Sequence, residues 1–318
     1  MGKISNHAFE CYMKAGKAVS HALKLAQKIA KPGTKLLDLA NVLEKDILDQ
    51  GAEGLSFPAN ISLNEEAAHY SPLIDDELVL PEKGLLKVDL GSHYDGFVAD
   101  AAVSINLGDN NEHYHNLIKA AKEALYSAIA YFKPGVNVRD IGRVIQGAIE
   151  KYDGFTPIAN LGGHQLKQWS LHAGVFVPNI SQSNSNYVLR EGDQFAVEPF
   201  ATDGYGMVKN GDVVPIYRIK STKKSKSLPM RERARVKNFK KKFGSFPFSP
   251  RWVDFMPKEK VDKTIKRYYQ KNILEGYHVF VERQNGMVSQ AEHTLIIKDG
   301  HAIPTTWWEG FDYKKLYR

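Results

Sequence analysis

Five side chains able to bind metal or move protons stand inside runs whose neighbours are apolar or glycine. They are Asp89 and Asp100 in 87-KVDLGSHYDGFVADAAVSINLG-108, His164 in LGGHQL, Glu198 in FAVEPFA and Glu292 in SQAEHTLII. Two carboxylates on one shared face repel, and each costs several kcal/mol if buried unpaired, so a cation between them is the natural resolution. Hard divalent ions take carboxylate oxygens, and one histidine with four carboxylates is the ligand mix of a dinuclear Mn, Fe, Co or Zn site. Taken singly, each residue reads more simply: the histidine as a packed core residue, the glutamates as water-facing, the aspartates as a solvated hairpin face. The metal reading rests on their joint occurrence.

The elements that would position them follow from local pattern. Asp95-Gly96 is a turn signal, and a two-residue loop near it puts Asp89 and Asp100 on the same face of a hairpin over 85–107. They are directly opposite if the loop is Tyr94-Asp95 and diagonal if it is Asp95-Gly96; an odd-length loop or a bulge would separate them. Upstream, Phe9, Met13, Val19, Leu23, Leu25 and Ile29 recur at helical spacing, predicting a helix over 7–30 that stops at Pro32-Gly33. Thr34 is expected to cap a second helix ended by Gly51. Two more helices are expected over about 112–132 and 138–152, split by Lys133-Pro134-Gly135. After Gly154 come short β-rich runs, in which the paired glycines before His164 would let backbone come close to a ligand. The fold class is therefore α+β, an antiparallel sheet wrapped by helices.

Composition sets the surroundings. With 43% apolar residues, 318 residues can bury a full core. A lone cysteine, Cys11, excludes an internal disulfide and fits a reducing compartment. No apolar run is long enough for a membrane span, and the N-terminus has neither a signal-peptide nor a myristoylation pattern, so a soluble cytoplasmic protein is expected. The net charge of +7 is uneven: residues 216–276 hold 19 Lys and Arg against 5 Asp and Glu, leaving the remainder at −7. That segment reads as a basic, mostly helical insertion able to touch phosphates, or as a solvated charged surface. Residues 1–215 and 277–318 would form the body around it.

The ordered set Asp89, Asp100, His164, Glu198, Glu292 resembles the methionine aminopeptidases of the pita-bread metallopeptidase family. The matching segments span nearly the whole chain: FPANISLNEEAAHYSP, DLGSHYDGFVADAAV, LGGHQLKQWSLHAGVFVPN, FAVEPFAT and QAEHT. The NEEAAH and LHAG elements and the insertion after Glu198 are like the type II branch. With no long polybasic extension ahead of these motifs, the chain looks like its short, archaeal-style form.

The resemblance implies two divalent ions (Co, Mn, Fe or Zn) and removal of N-terminal methionine from nascent chains, best before a small second residue. Asp89 would chelate one ion, Asp100 and Glu292 would bridge, and His164 and Glu198 would complete the other. It further implies that Glu198 handles the water proton, that His172 bonds the scissile carbonyl, and that His69 contacts the peptide nitrogen beyond it. Phe57, Pro58, Asn60 and Ile61 would line the methionine pocket with His172. A monomer is expected, with the basic insertion facing ribosomal RNA. Ala101 stands where the family commonly has threonine, a departure that could weaken support for Asp100. Two rivals share the fold: a Xaa-Pro peptidase or prolidase, and a non-catalytic relative that binds RNA or protein.

Overall fold

The computed structural model describes residues 4–108, 111–182 and 184–307. The first helix, α1 (Asn6–Ile29), is capped by Ser5, whose hydroxyl accepts the Ala8 N–H at 3.1 Å. It ends before Pro32-Gly33, where proline removes a donor and Gly33 turns at φ +80°. The second helix, α2 (Leu36–Asp49), starts later than its threonine suggests: Lys35 is the cap and no side chain serves there. The reason is tertiary. Thr34 and Leu36 are already paired with a neighbouring segment, through Leu80 N–H to Thr34 O and Leu36 N–H to Leu78 O.

The strand β1 (Gly54–Leu63), the short β2 (Glu66–Ala68) and the hairpin strands β3 (Gly84–Tyr94) and β4 (Phe97–Leu107) follow. Asp95 and Gly96 take φ +49° and +72°, the two left-handed positions of a type I′ turn. Tyr94 therefore pairs with Phe97, Gly91 with Asp100 and Asp89 with Ala102. Asp89 and Asp100 are diagonal neighbours on one face. The other face of the β1-β3-β4 sheet carries Ile61, Leu86, Val88, Leu90, Ala99 and Ala101 into a core with α1 and α2.

A second helical layer, α3 (Glu112–Tyr131) and α4 (Val138–Ile149), is capped by Asn111 and Asn137. The strands that follow are β5 (Thr156–Pro157), β6 (Gly162–Gln165), β7 (Phe176–Pro178), β8 (Gln194–Val197), β9 (Phe200–Thr202) and β10 (Val208–Asn210). After β11 (Ile216–Ile219) come helices α5 (Met230–Phe243) and α6 (Lys258–Gln270), and then strand β12 (Leu274–Tyr277), which pairs antiparallel with β11. The chain thus leaves and rejoins the body at one place. Phe239, Phe248, Val261, Ile265 and Tyr268 give this segment an apolar cluster of its own. The last strands are β13 (Phe280–Glu282), β14 (Val288–Gln290), β15 (His293–Lys298) and β16 (His301–Pro304).

Strands β16-β15-β8-β6-β7 form one antiparallel sheet, which buries Val177, Phe195, Val197, Leu295 and Ile297 against α3 and α4. Two helix-backed sheets thus carry the five candidate ligands between them. Trp307 packs on the body, its ring 4.9 Å from His293 and 5.9 Å from Tyr126, whereas Trp308 and the tail after it lie outside the described residues.

Candidate metal centre

Five different stretches deliver the five side chains. Asp89 comes from β3, Asp100 from β4, His164 from β6, Glu198 from the step between β8 and β9, and Glu292 from the step between β14 and β15. All five line one cavity of about 230 Å³. Donor atoms of Asp100, His164 and Glu292 lie within 4.8 Å of one another. His164 Nε2 is 3.5 Å from Asp100 Oδ2 and 3.7 Å from Glu198 Oε1. Asp89 and Glu292 each come within hydrogen-bond reach of Asp100.

Supporting groups hold this arrangement. Thr294 of β15 brackets Asp100: its hydroxyl accepts the Asp100 N–H and donates to the Asp100 carbonyl, both at 2.8 Å. Gln290 of β14 turns its side-chain amide toward the carboxylates, with Nε2 at 3.2 Å from Glu292, 3.4 Å from Glu198 and 3.5 Å from Asp89. Neither residue stands out in the sequence as functional. Gln290 sits two positions before Glu292, the spacing of one strand face, which is the only local signal it gives. Thr294 is recognisable only once β15 and β4 are known to touch.

Electrostatics shows what the site lacks. Burial first, then the Asp100 charge, pushes the carboxyls of Asp89, Glu198 and Glu292 well above the usual carboxylate range. Asp89 Oδ1, Asp100 Oδ1 and His164 Nδ1 are buried without a hydrogen-bond partner. Among the described residues Gln290 is the one amide shared among three carboxylates, far too little positive potential for four such groups. Oxygen-rich, anionic and sheltered, with one imidazole nitrogen aimed inward, the donor set fits divalent cations.

The cavity wall corrects two of the expected pocket residues. Phe57 and Asn60 line it. They are three apart, so simple alternation would put them on opposite faces; a bulge in β1, pairing Phe57 with Gly91 and Asn60 with Asp89, brings them to the same one. Gly91 is required there, since a Cβ would sit 2.1 Å from the Phe57 ring. Ile61 faces the other way and packs into the helix-side core. Pro58 lies behind the wall, its carbonyl accepting the Asn60 side-chain N–H at 2.8 Å, while Asn60 Oδ1 has no partner. The glycines before His164 serve packing at least as much as access: a Cβ on Gly163 would meet the Ala196 carbonyl at 2.2 Å.

His69 and His172 stand on the same wall, with Tyr277 between them in ring contact with both. His69 holds φ +69°, a left-handed conformation, and its Nδ1–H donates to the His278 carbonyl at 3.1 Å. That leaves Nε2 as its acceptor. Desolvation lowers the His69 pKa to about 4 and that of His172 to about 2, so both rings are neutral across ordinary pH. Tyr277 was not apparent from the sequence, because it enters the site only through the β11–β12 pairing. Ala101 is fully buried on the α1 side of the hairpin, so a hydroxyl there would point away from the Asp100 carboxylate.

Residues 10–222 match the model of metallopeptidase family M24, the class of protein that this sheet arrangement and buried carboxylate set define. A methionine aminopeptidase of Pyrococcus horikoshii is 41% identical over 298 residues, covering 92% of this chain and 98% of the relative. The chain belongs to that family, among its methionine aminopeptidases. Solved structures agree on the fold, which is the pita-bread fold. A methionine aminopeptidase from Thermotoga maritima superposes with TM-score 0.70 at 23% identity, over 97% of this chain and 100% of that one. A thermophilic Arx1 superposes with TM-score 0.84 at 18% identity, over 98% and 94%. The relatives favour neither the Xaa-Pro reading nor the non-catalytic one.

Proposed function

We propose that this chain removes the N-terminal methionine of nascent polypeptides by metal-assisted attack of water, best before a small second residue. The observation that carries the reading is the convergence of four carboxylates and His164 on one cavity wall, with their charges uncompensated by the protein. Asp89, Asp100, His164, Glu198 and Glu292 would hold two divalent ions. Ions held there supply electrophilic stabilisation and a water acidified toward neutral pH. The ion is one of Mn, Fe, Co or Zn.

The chain's own residues do the rest. Glu198 can accept the proton of the attacking water and return it to the departing amine. Neutral His172 can donate its N–H to the scissile carbonyl oxygen as charge grows there. His69 Nε2 can accept the N–H of the peptide beyond the scissile bond. Phe57, Asn60 and His172 would line the slot for the methionine side chain, with the free Asn60 Oδ1 as an acceptor.

Residues 216–276 make a second unit, whose basic helices suit ribosomal RNA beside an emerging chain. Of α5, only Val236 and Phe239 are buried, and Lys240, Lys241 and Lys242 crowd its last turn. We read the chain as a cytoplasmic monomer of the short type II form. Among the described residues no helix is long and apolar enough to cross a membrane.

Release of methionine from a Met-Gly peptide, compared with Met-Lys and Ala-Pro peptides, tests the reading. Release from Met-Gly alone, abolished by chelator and restored by added metal, is expected. Release from Ala-Pro instead would overturn it.

A further inference from the structure

At the far end of the same hairpin a second, separate set of metal-binding donors comes together. His7 and Cys11 are four residues apart on α1, so they share one face, and Asp95 is the first residue of the hairpin turn. His7 Nε2 lies 3.0 Å from Asp95 Oδ2 and 3.6 Å from Cys11 Sγ. All three donor atoms fall within 4.8 Å of one another. Around zinc, tetrahedral ligands at 2.0–2.3 Å stand about 3.3–3.5 Å apart, so small rotations of three side chains complete the geometry.

The surroundings favour a cation. Glu53 Oε2 accepts the Asp95 N–H at 2.8 Å, bringing another carboxylate to the turn. Burial first, then the Asp95 carboxylate, raises the Cys11 thiol above its ordinary pKa, with Lys14 acting against them. Cys11 is buried, Asp95 half-buried and His7 exposed, so the group is open to solution on one side.

We propose that His7, Cys11 and Asp95 form a second metal site, for a zinc-class divalent ion, which clips the start of α1 to the turn of the hairpin carrying Asp89 and Asp100. Water fills the fourth position. The thiol loses its proton to solvent as the sulfur–metal bond forms, and no oxidation state changes. The two sites differ in hardness: thiolate with imidazole selects zinc or cobalt, whereas the carboxylate centre also suits Mn and Fe. The proposal is independent of the aminopeptidase reading.

Cobalt(II) titration of the reduced, metal-free, full-length protein tests it. The sequence contains a single cysteine, so a near-ultraviolet sulfur-to-cobalt charge-transfer band reports this site alone. The band should saturate at the intensity of one sulfur–cobalt bond per chain, whatever cobalt the carboxylate centre takes up, and be absent in Cys11→Ser. His7→Ala and Asp95→Ala should each weaken cobalt binding there by at least about tenfold, the scale of losing metal-site support. Glu292→Gln, which impairs the carboxylate centre, should leave the band intact, and Cys11→Ser should keep peptide hydrolysis within about twofold of the parent. Absence of the band at tenfold excess cobalt, with Cys11 confirmed reduced, would overturn the proposal. So would a band of unchanged affinity in both His7→Ala and Asp95→Ala.

Discussion

Replacing Arg251 by methionine should destabilise the protein by about 3 kcal/mol. Arg251 belongs to the basic segment, in the short 3-10 turn Pro250–Trp252, and reaches α2 of the body. Its guanidinium engages both oxygens of Glu44, Nη1 bonding Oε2 at 2.8 Å, with side chains only 7% and 9% exposed. It also donates to the Pro72 carbonyl at 3.1 Å and to Asn41 at 3.2 Å. Removing one member of a buried ion pair costs about 3–5 kcal/mol, because the other charge is stranded. Glu44 would keep two donors, the Ala59 N–H at 3.0 Å and Trp252 Nε1 at 2.9 Å, which places the loss at the lower end of that range. Urea unfolding of the metal-loaded protein measures it. The pair Glu44→Leu with Arg251→Met should recover most of the loss, to within about 1 kcal/mol of the parent. Glu44 also fixes Ala59, between Pro58 and Asn60 in the bulged stretch of β1, so Arg251→Met should raise KM for a Met-Gly peptide more than it lowers kcat. A loss under about 1 kcal/mol, or a double variant no better than Arg251→Met, would refute the reasoning.

The chelated protein should lose stability as pH rises from about 4 toward 7. Asp89, Glu198 and Glu292 have folded pKa values raised above their unfolded ones, so the folded state binds more protons; their contribution is fully present below the unfolded values and lost as pH climbs through the folded ones. The slope approaches about 1.4 kcal/mol per pH unit for each extra proton held, and urea midpoints across pH should show it only without metal. Thr294→Val, which frees the Asp100 backbone, should weaken metal affinity by roughly 10–100-fold in a direct titration, while Thr294→Ser stays near the parent. His172→Ala should lower kcat by about 10²–10³ with KM little changed, the scale of losing one donor to a developing oxyanion. Because His69 and His172 titrate at about 4 and about 2, neither should put a limb in the activity profile between pH 5 and 8.

Local pattern carried the helices and the hairpin. The repeat from Phe9 to Ile29 marked α1, and the Asp95-Gly96 dipeptide fixed the register that makes Asp89 and Asp100 diagonal neighbours. What stayed hidden depends on partners distant along the chain. The bulge that turns Phe57 and Asn60 into the cavity, with Pro58 behind and Ile61 outward, comes from pairing with β3. The hold of Thr294 on Asp100 spans 194 residues, and pairing with residues 78–80 displaced the Thr34 cap. Alternation along β4 also settles Ala101: its neighbour Asp100 points to the site, so its own side chain points to α1.

Anomalous diffraction from crystals soaked in manganese tests the central claim most directly. Manganese is hard enough to enter the carboxylate centre and a poor partner for the Cys11 thiolate. Two anomalous peaks are expected, both within coordination distance of Asp89, Asp100, His164, Glu198 and Glu292, with Asp100 and Glu292 touching each. Full aminopeptidase activity in manganese with no peak at these five residues would contradict the account.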